Sequence, residues 1–122
     1  MMAAHNELGK RGEELAADYL REKGYRIVET NWRFGRNELD LIARKEECLV
    51  VIEVKTRYSN VFIEPEMAVT REKQRAIIRS ANAYVKIRRW KQETRFDIIS
   101  IVMNETQQKI THIEDAFSPM VR

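Results

Sequence analysis

The run Val50-Val-Ile-Glu53-Val-Lys55 sets a carboxylate and an ammonium two residues apart in a stretch that is otherwise aliphatic. In an extended strand successive side chains alternate between faces, so Glu53 and Lys55 share one face with Val51, and Val50, Ile52 and Val54 share the other. A strand this apolar belongs inside a sheet, where charged groups are costly unless partnered. An ion pair at the strand's solvated end is the simplest account. The preceding stretch Glu38-Leu-Asp40-Leu-Ile42 adds a second one. There Glu38, Asp40 and Ile42 fall on one face, and Leu39, Leu41 and Ala43 on the other. If the chain reverses at Glu46-Glu47, Asp40 comes opposite or nearly opposite Glu53; a slip of one residue would send the two acids to opposite faces. Facing carboxylates about 5 Å apart repel by roughly 3 kcal/mol at an effective dielectric near 20. Lys55 would supply a counter-charge. Mg2+ or Mn2+ would supply a better one, because hard oxygen donors suit those ions.

That combination is what hydrolysis of a phosphodiester requires. A metal held by Asp40 and Glu53 would polarise the phosphate and acidify a bound water, and a lysine beside them would orient the water or stabilise developing charge. No rival constellation stands out: His5 and His112 are far apart without ligand spacing and read as surface or capping residues. Further along, Arg71, Arg75, Arg79, Lys86 and Arg89 fall within about 80° on a helical wheel, next to an apolar stripe. Such a row neutralises nucleic-acid phosphates, or it is simply a solvated helix face. Trp32, Arg33, Phe34 and Arg36 mix aromatic and basic groups that would clamp a strand or pack the core edge, and Trp32 is read as packing.

Positioning these groups requires a sheet and helices. Leu8, Leu15, Ala16, Tyr19 and Leu20 recur at helical spacing and predict a helix over His5 to Lys23, with Asn6 as N-cap and Gly24 as C-cap. Strands follow over Tyr25 to Phe34, Glu38 to Arg44 and Cys48 to Thr56, the last two joined as a hairpin. After a loop, Thr70 caps a helix running to about Trp90, with Ile77, Ile78, Ala81, Tyr84 and Val85 as its apolar stripe. Two more strands, Phe96 to Met103 and Lys109 to Ile113, end the pattern. The order predicts an α/β sandwich in which a mixed sheet carries helices.

Bulk properties set the remaining bounds. At 122 residues the chain is expected to form one domain. A net charge of +3 and a pI near 9.1 suit a polyanionic partner without identifying one. Cys48 is the only cysteine, which excludes an internal disulfide and points to a reducing, cytoplasmic setting. The longest aliphatic run, Leu49 to Ile52, is far short of the roughly 20 residues that span a bilayer, and no stretch near Met1 resembles a signal peptide, so no membrane role is expected.

Several segments stand in a set order: Gly9-Lys-Arg-Gly12-Glu13-Glu14-Leu-Ala16, Gly24-Tyr25, Asn31-Trp32-Arg33, Glu38-Leu-Asp40-Leu-Ile42 and Val51-Ile-Glu53-Val-Lys55-Thr-Arg57. Pro65-Glu-Met-Ala-Val69, Lys73-Gln74, Arg95-Phe96-Asp97 and His112-Ile113 complete the set. Together they resemble the YraN family of predicted bacterial endonucleases, relatives of Holliday-junction resolvases and restriction enzymes. The resemblance implies a restriction-endonuclease-like sandwich, a central mixed five-stranded sheet flanked by helices. It implies a PD-(D/E)xK centre of Asp40, Glu53 and Lys55 that uses Mg2+ or Mn2+ to cleave DNA, structured or branched DNA included. It adds Glu13 as a further acidic member and gives Glu38 an acidic position that assists the metal or does nothing catalytic. Arg71, Arg75, Arg79 and Lys86 would hold the DNA backbone, and kinship with resolvases leaves room for a homodimer. The family's usual Gly before Glu38 is Asn37 here, a residue that tolerates left-handed backbone. The alternatives are a non-catalytic nucleic-acid-binding module of the same fold and a protein-interaction domain in which Glu53 and Lys55 are structural.

Overall fold

The computed structural model describes the chain from residue 2 to residue 119, with side chains from residue 7 onward. Helix α1 (Met2–Glu22) leads into a meander of β1 (Arg26–Phe34), β2 (Asn37–Lys45) and β3 (Cys48–Tyr58). Helix α2 (Arg71–Arg88) then crosses to β4 (Glu93–Met103), and β5 (Gln108–Phe117) returns beside it. The five strands lie in chain order, with β3 and β4 parallel and the other pairs antiparallel. A mixed sheet between two helices is the restriction-endonuclease-like sandwich expected of this α/β chain. Among the described residues no helix is long and apolar enough to cross a membrane.

Each helix seals one face of the sheet. On one side Ala16, Ala17 and Leu20 of α1 pack on Leu41, Ala43, Val50, Ile52, Ile99 and Ile101. On the other, Ile77, Ala81 and Tyr84 of α2 meet Ile42, Val51, Phe96, Ile98 and Phe117. This division requires the strict alternation seen in β3, whose buried residues go alternately to the two clusters.

The chain's punctuation follows its residue types. At the end of α1, Gly24 takes φ +92°, and the Tyr25 N–H donates to the Leu20 carbonyl at 2.9 Å. Lys45 pairs with Cys48, leaving Glu46-Glu47 as a two-residue turn. Thr70 accepts from the Lys73 N–H at 3.1 Å and so caps α2, and Arg89, at φ 57°, closes it.

Four local expectations need correction. Helix α1 starts at Met2, so Asn6 lies within it and is no N-cap; the Asn6 and His5 side chains fall outside the described residues. The left-handed residue in the β1–β2 turn is Gly35 (φ 61°), and Asn37 already belongs to β2. Leu39 packs with Ile42 on the α2 side and not with Leu41, so the two-residue alternation of β2 breaks at Asp40. His112 is neither surface nor cap. It donates or accepts at 2.8 Å from Asp97, which is fully buried, and at 3.1 Å from the Tyr19 hydroxyl.

Asp97 centres a polar network on the α1 side of the sheet. Arg95 donates to both its oxygens at 2.9 Å, and the Asp115 backbone N–H donates at 2.9 Å. The same guanidinium reaches the Tyr25 hydroxyl at 2.6 Å. One buried carboxylate thereby ties the end of α1 to β4 and β5.

Gly12 fixes how closely α1 approaches the sheet. A Cβ there would overlap the Thr56 hydroxyl and crowd its Cβ and Cγ2. Gly12→Ala is expected to cost about 1–3 kcal/mol, the usual penalty for overpacking, seen by calorimetry as a lowered Tm. An unchanged Tm would mean that α1 is free to ride off β3.

Candidate active site

The β2–β3 hairpin register runs from Lys45↔Cys48 to Leu41↔Ile52, and one further step sets Asp40 across from Glu53. The backbone ladder is replaced there by a side-chain bond: the Val54 N–H donates to Asp40 Oδ2 at 2.9 Å. Asp40 therefore sits between the two strands at their fork. Across β2 on its other flank, the pairs Thr30↔Leu41 and Trp32↔Leu39 bracket Asn31, which takes φ 51° in mid-strand. A left-handed residue in a strand rotates the chain beyond it, and Leu39 has changed faces at this level of the sheet.

Glu13 arrives from α1. The Asn31 amide donates to its Oε1 at 2.9 Å, so the strand's irregular residue holds the helix's carboxylate. Burial raises the Glu13 pKa, and the charges of Asp40 and Glu38 add to the rise against the Asn31 bond. Glu53 is 13% exposed and is likewise raised by burial, with Lys73 and Lys55 opposing. Asp40 is pushed up to about 7, first by burial and then by Glu53, against the pull of the Val54 N–H and Lys73. Glu13, Asp40 and Glu53 thus feel one another's charge.

The lysines are arranged differently from the simple ion pair. Lys55 Nζ lies 4.0 Å from Glu66 Oε2 on the loop before α2. The ammonium nearest Glu53 is that of Lys73, 3.8 Å from its Oε2. The sequence pattern marks neither Lys73 nor Glu66 as a member of the centre. Lys73 lies in the first turn of α2, one turn before buried Ile77 and in line with Ser80 and Tyr84, so it faces the sheet. Arg71, Arg75, Arg79 and Lys86 are exposed along α2, next to the Ile78 and Val85 edge of its apolar stripe and turned away from buried Ile77 and Tyr84. Trp32 packs as expected, edge-on to Tyr84 with centroids 5.1 Å apart.

A groove of about 420 Å³ between α1 and β1, bordered by Lys10, Glu13, Arg21 and Asn31, reaches Glu13 but is not lined by Asp40 or Glu53. The larger hollow, about 500 Å³, lies between residues 59–63 and β5 and reaches none of them. Among the described residues no three Asp, Glu, His or Cys side chains meet as a ready-made metal cluster. The donor set is a carboxylate pair with a third acid nearby.

The profile of "Uncharacterised protein family UPF0102" matches residues 12–101, which include Glu13, Asp40, Glu53, Lys55 and Lys73. The chain belongs to UPF0102, the YraN family. It is 50% identical over 120 residues to a UPF0102 protein of Phocaeicola vulgatus, covering 98% of this chain and 99% of the relative. It is 48% identical over 118 residues to one of Bacteroides thetaiotaomicron (97% and 98%), and 47% identical over 116 to one of Flavobacterium psychrophilum (95% and 98%). The UPF0102 match begins within α1, spans β1 to α2 and runs into β4, so the positions of the carboxylates and of both lysines all lie inside it.

The raised acids have a measurable consequence. An acid with a higher pKa folded than unfolded binds more protons when folded. Asp40 therefore costs nothing below its unfolded value near 4 and destabilises the fold as pH climbs to about 7. In metal-free buffer Asp40→Asn is expected to raise the Tm at pH 8, with the gain shrinking steadily as pH is lowered toward 5. A gain independent of pH would mean that Asp40 ionises without penalty.

Proposed function

We propose that this UPF0102 protein is a divalent-metal-dependent nuclease that hydrolyses phosphodiester bonds in DNA. The observation that carries this reading is the Asp40–Glu53 pair: two part-buried carboxylates facing each other at a strand fork, both with raised pKa. Such a pair is unfavourable without cations, and its hard oxygen donors fit Mg2+ or Mn2+. A two-carboxylate set also fits the ion's habit, since Mg2+ is usually held by one or two carboxylates plus substrate phosphates and waters. Bound there, the ion would supply Lewis acidity toward the phosphate and toward a water.

The protein's own groups divide the remaining work. Asp40 and Glu53 would hold the ion, with Asp40 oriented by the Val54 N–H on its Oδ2. Glu13, oriented by Asn31, completes the acidic side and accepts a hydrogen bond from bound water. Lys55 leaves Glu66 to meet the phosphate or the attacking water. Arg71, Arg75, Arg79 and Lys86, away from the chemistry on the outer face of α2, would contact a backbone that wraps past the helix. Cytoplasmic residence and pairing into a homodimer belong to the same reading.

The test is direct. Purified protein is titrated with Mg2+ and Mn2+ by calorimetry and incubated with single-stranded, flapped and four-way-junction DNA. Metal binding with cleavage of any of these substrates is the expected result. Salt-sensitive DNA binding without metal binding or cleavage would favour the non-catalytic module instead.

A further inference from the structure

We propose that Lys73 is a built-in counter-cation of the carboxylate pair, one that competes with the divalent ion for that place and, once displaced, turns to the substrate phosphate. The inference rests on the metal-centre reading above and adds a residue and a competition to it. Lys73 Nζ is 3.8 Å from Glu53 Oε2, and its charge acts on Asp40 as well. Lys55, which the PD-(D/E)xK pattern marks, is turned instead toward Glu66 at 4.0 Å. The ammonium in ion-pair contact with Glu53 is therefore supplied from α2, while the strand's Lys55 acts on it from farther away.

Three features suit Lys73 to an exchangeable role. Its backbone is fixed, because its N–H is bound to the Thr70 cap at 3.1 Å in the first turn of α2. Its side chain is 51% exposed, so the ammonium can leave Glu53 without crossing packed core. A lysine on a flexible stem is also a point charge that turns readily toward a new anion. A divalent ion between Asp40 and Glu53 would repel an ammonium within about 4 Å of the same oxygens, and a phosphate drawn to that ion offers the nearest replacement partner.

Calorimetric Mn2+ titration of the natural protein, Lys73→Met and Lys73→Arg tests this, with Tm measured in chelator and in saturating Mn2+. Lys73→Met should bind Mn2+ at least about fivefold more tightly, the effect of removing one like charge at about 4 Å in water. Lys73→Arg should stay near the natural affinity. The Met variant should have a lower Tm in chelator, and Mn2+ should abolish the difference. Binding of a short DNA duplex should be weakened by Lys73→Met in Ca2+ but not in chelator, where the natural lysine is held by Glu53. Equal or weaker Mn2+ binding by Lys73→Met overturns the proposal while leaving the metal centre standing. Absence of Mn2+ binding in all three proteins overturns it together with the metal-centre reading.

Discussion

Asp40→Asn and Glu53→Gln should each abolish calorimetric Mg2+ binding and lower DNA cleavage by at least about 10²–10³-fold, while leaving the protein folded. The magnitude is the loss seen when one electrostatic contact to a transition state is removed. The two acids face each other across the β2–β3 fork, Asp40 held by the Val54 N–H and Glu53 by Lys73 and by a side-chain hydrogen bond with Asp40. The asparagine oxygen still accepts from the Val54 N–H, so the strand fork should survive. What is lost is charge, and a divalent ion is poorly held once one of two carboxylates becomes a neutral amide. Lys55→Met should separate the roles: cleavage falls by a similar factor while ion binding persists. Cleavage surviving in Asp40→Asn would end the nuclease reading for this site, whatever the DNA affinity.

Asp97→Ala should be the most destabilising single change, by about 3–5 kcal/mol, the usual cost of removing one partner from a buried charge pair. A loss of that size in a chain this short lowers the Tm by well over about 10 °C. Asp97 is fully buried and receives Arg95 twice, His112 and the Asp115 N–H. Its removal strands a guanidinium, an imidazole and a backbone donor together. Burial pushes the Asp97 pKa up, but bonds from His112, Arg95 and Asp115 outweigh it and hold the carboxyl below its ordinary range. A depressed acid stabilises above its unfolded pKa near 4 and loses that contribution as pH falls further. Asp97 thus works against acid, and Asp40 in metal-free protein works against neutral and alkaline pH. Metal-free protein should therefore be most stable at mildly acidic pH, and guanidinium unfolding across pH 3–9 would show it. A variant losing under about 1 kcal/mol would mean that water replaces the carboxylate.

How far the sequence can be read depends on whether each signal is local. Both helices, the hairpin and the succession of elements along the chain are legible, because periodicity, Thr70 and Gly24 act within a few residues, whereas the parallel pairing of β3 with β4 is not. The Asp40–Glu53 juxtaposition is legible by counting residues back from the two-residue turn. Simple alternation misplaces Leu39, because it runs through Asp40 beside a strand residue, Asn31, whose positive φ no pattern announces. In the sequence Lys73 looks like one more cation on a basic helix, whereas its alignment with Ile77 and Tyr84 turns it inward. His112 looks solitary because its partners Asp97 and Tyr19 are brought to it only by β-pairing and helix docking.

The pairing scheme also implies an order of assembly. Strands β1, β2 and β3 are joined by short turns and need only neighbouring contacts to zip together. The parallel ladder must instead bring Cys48 to Glu93 and Tyr58 to Met103, closing a long loop that contains all of α2. The meander can therefore set Asp40 against Glu53 while the segment bearing Lys73 is still unattached. During that interval the carboxylates repel without Lys73 beside them, so divalent ions or a lowered pH should favour formation of the hairpin more than the docking of α2, whose Lys73 is drawn to the charged pair.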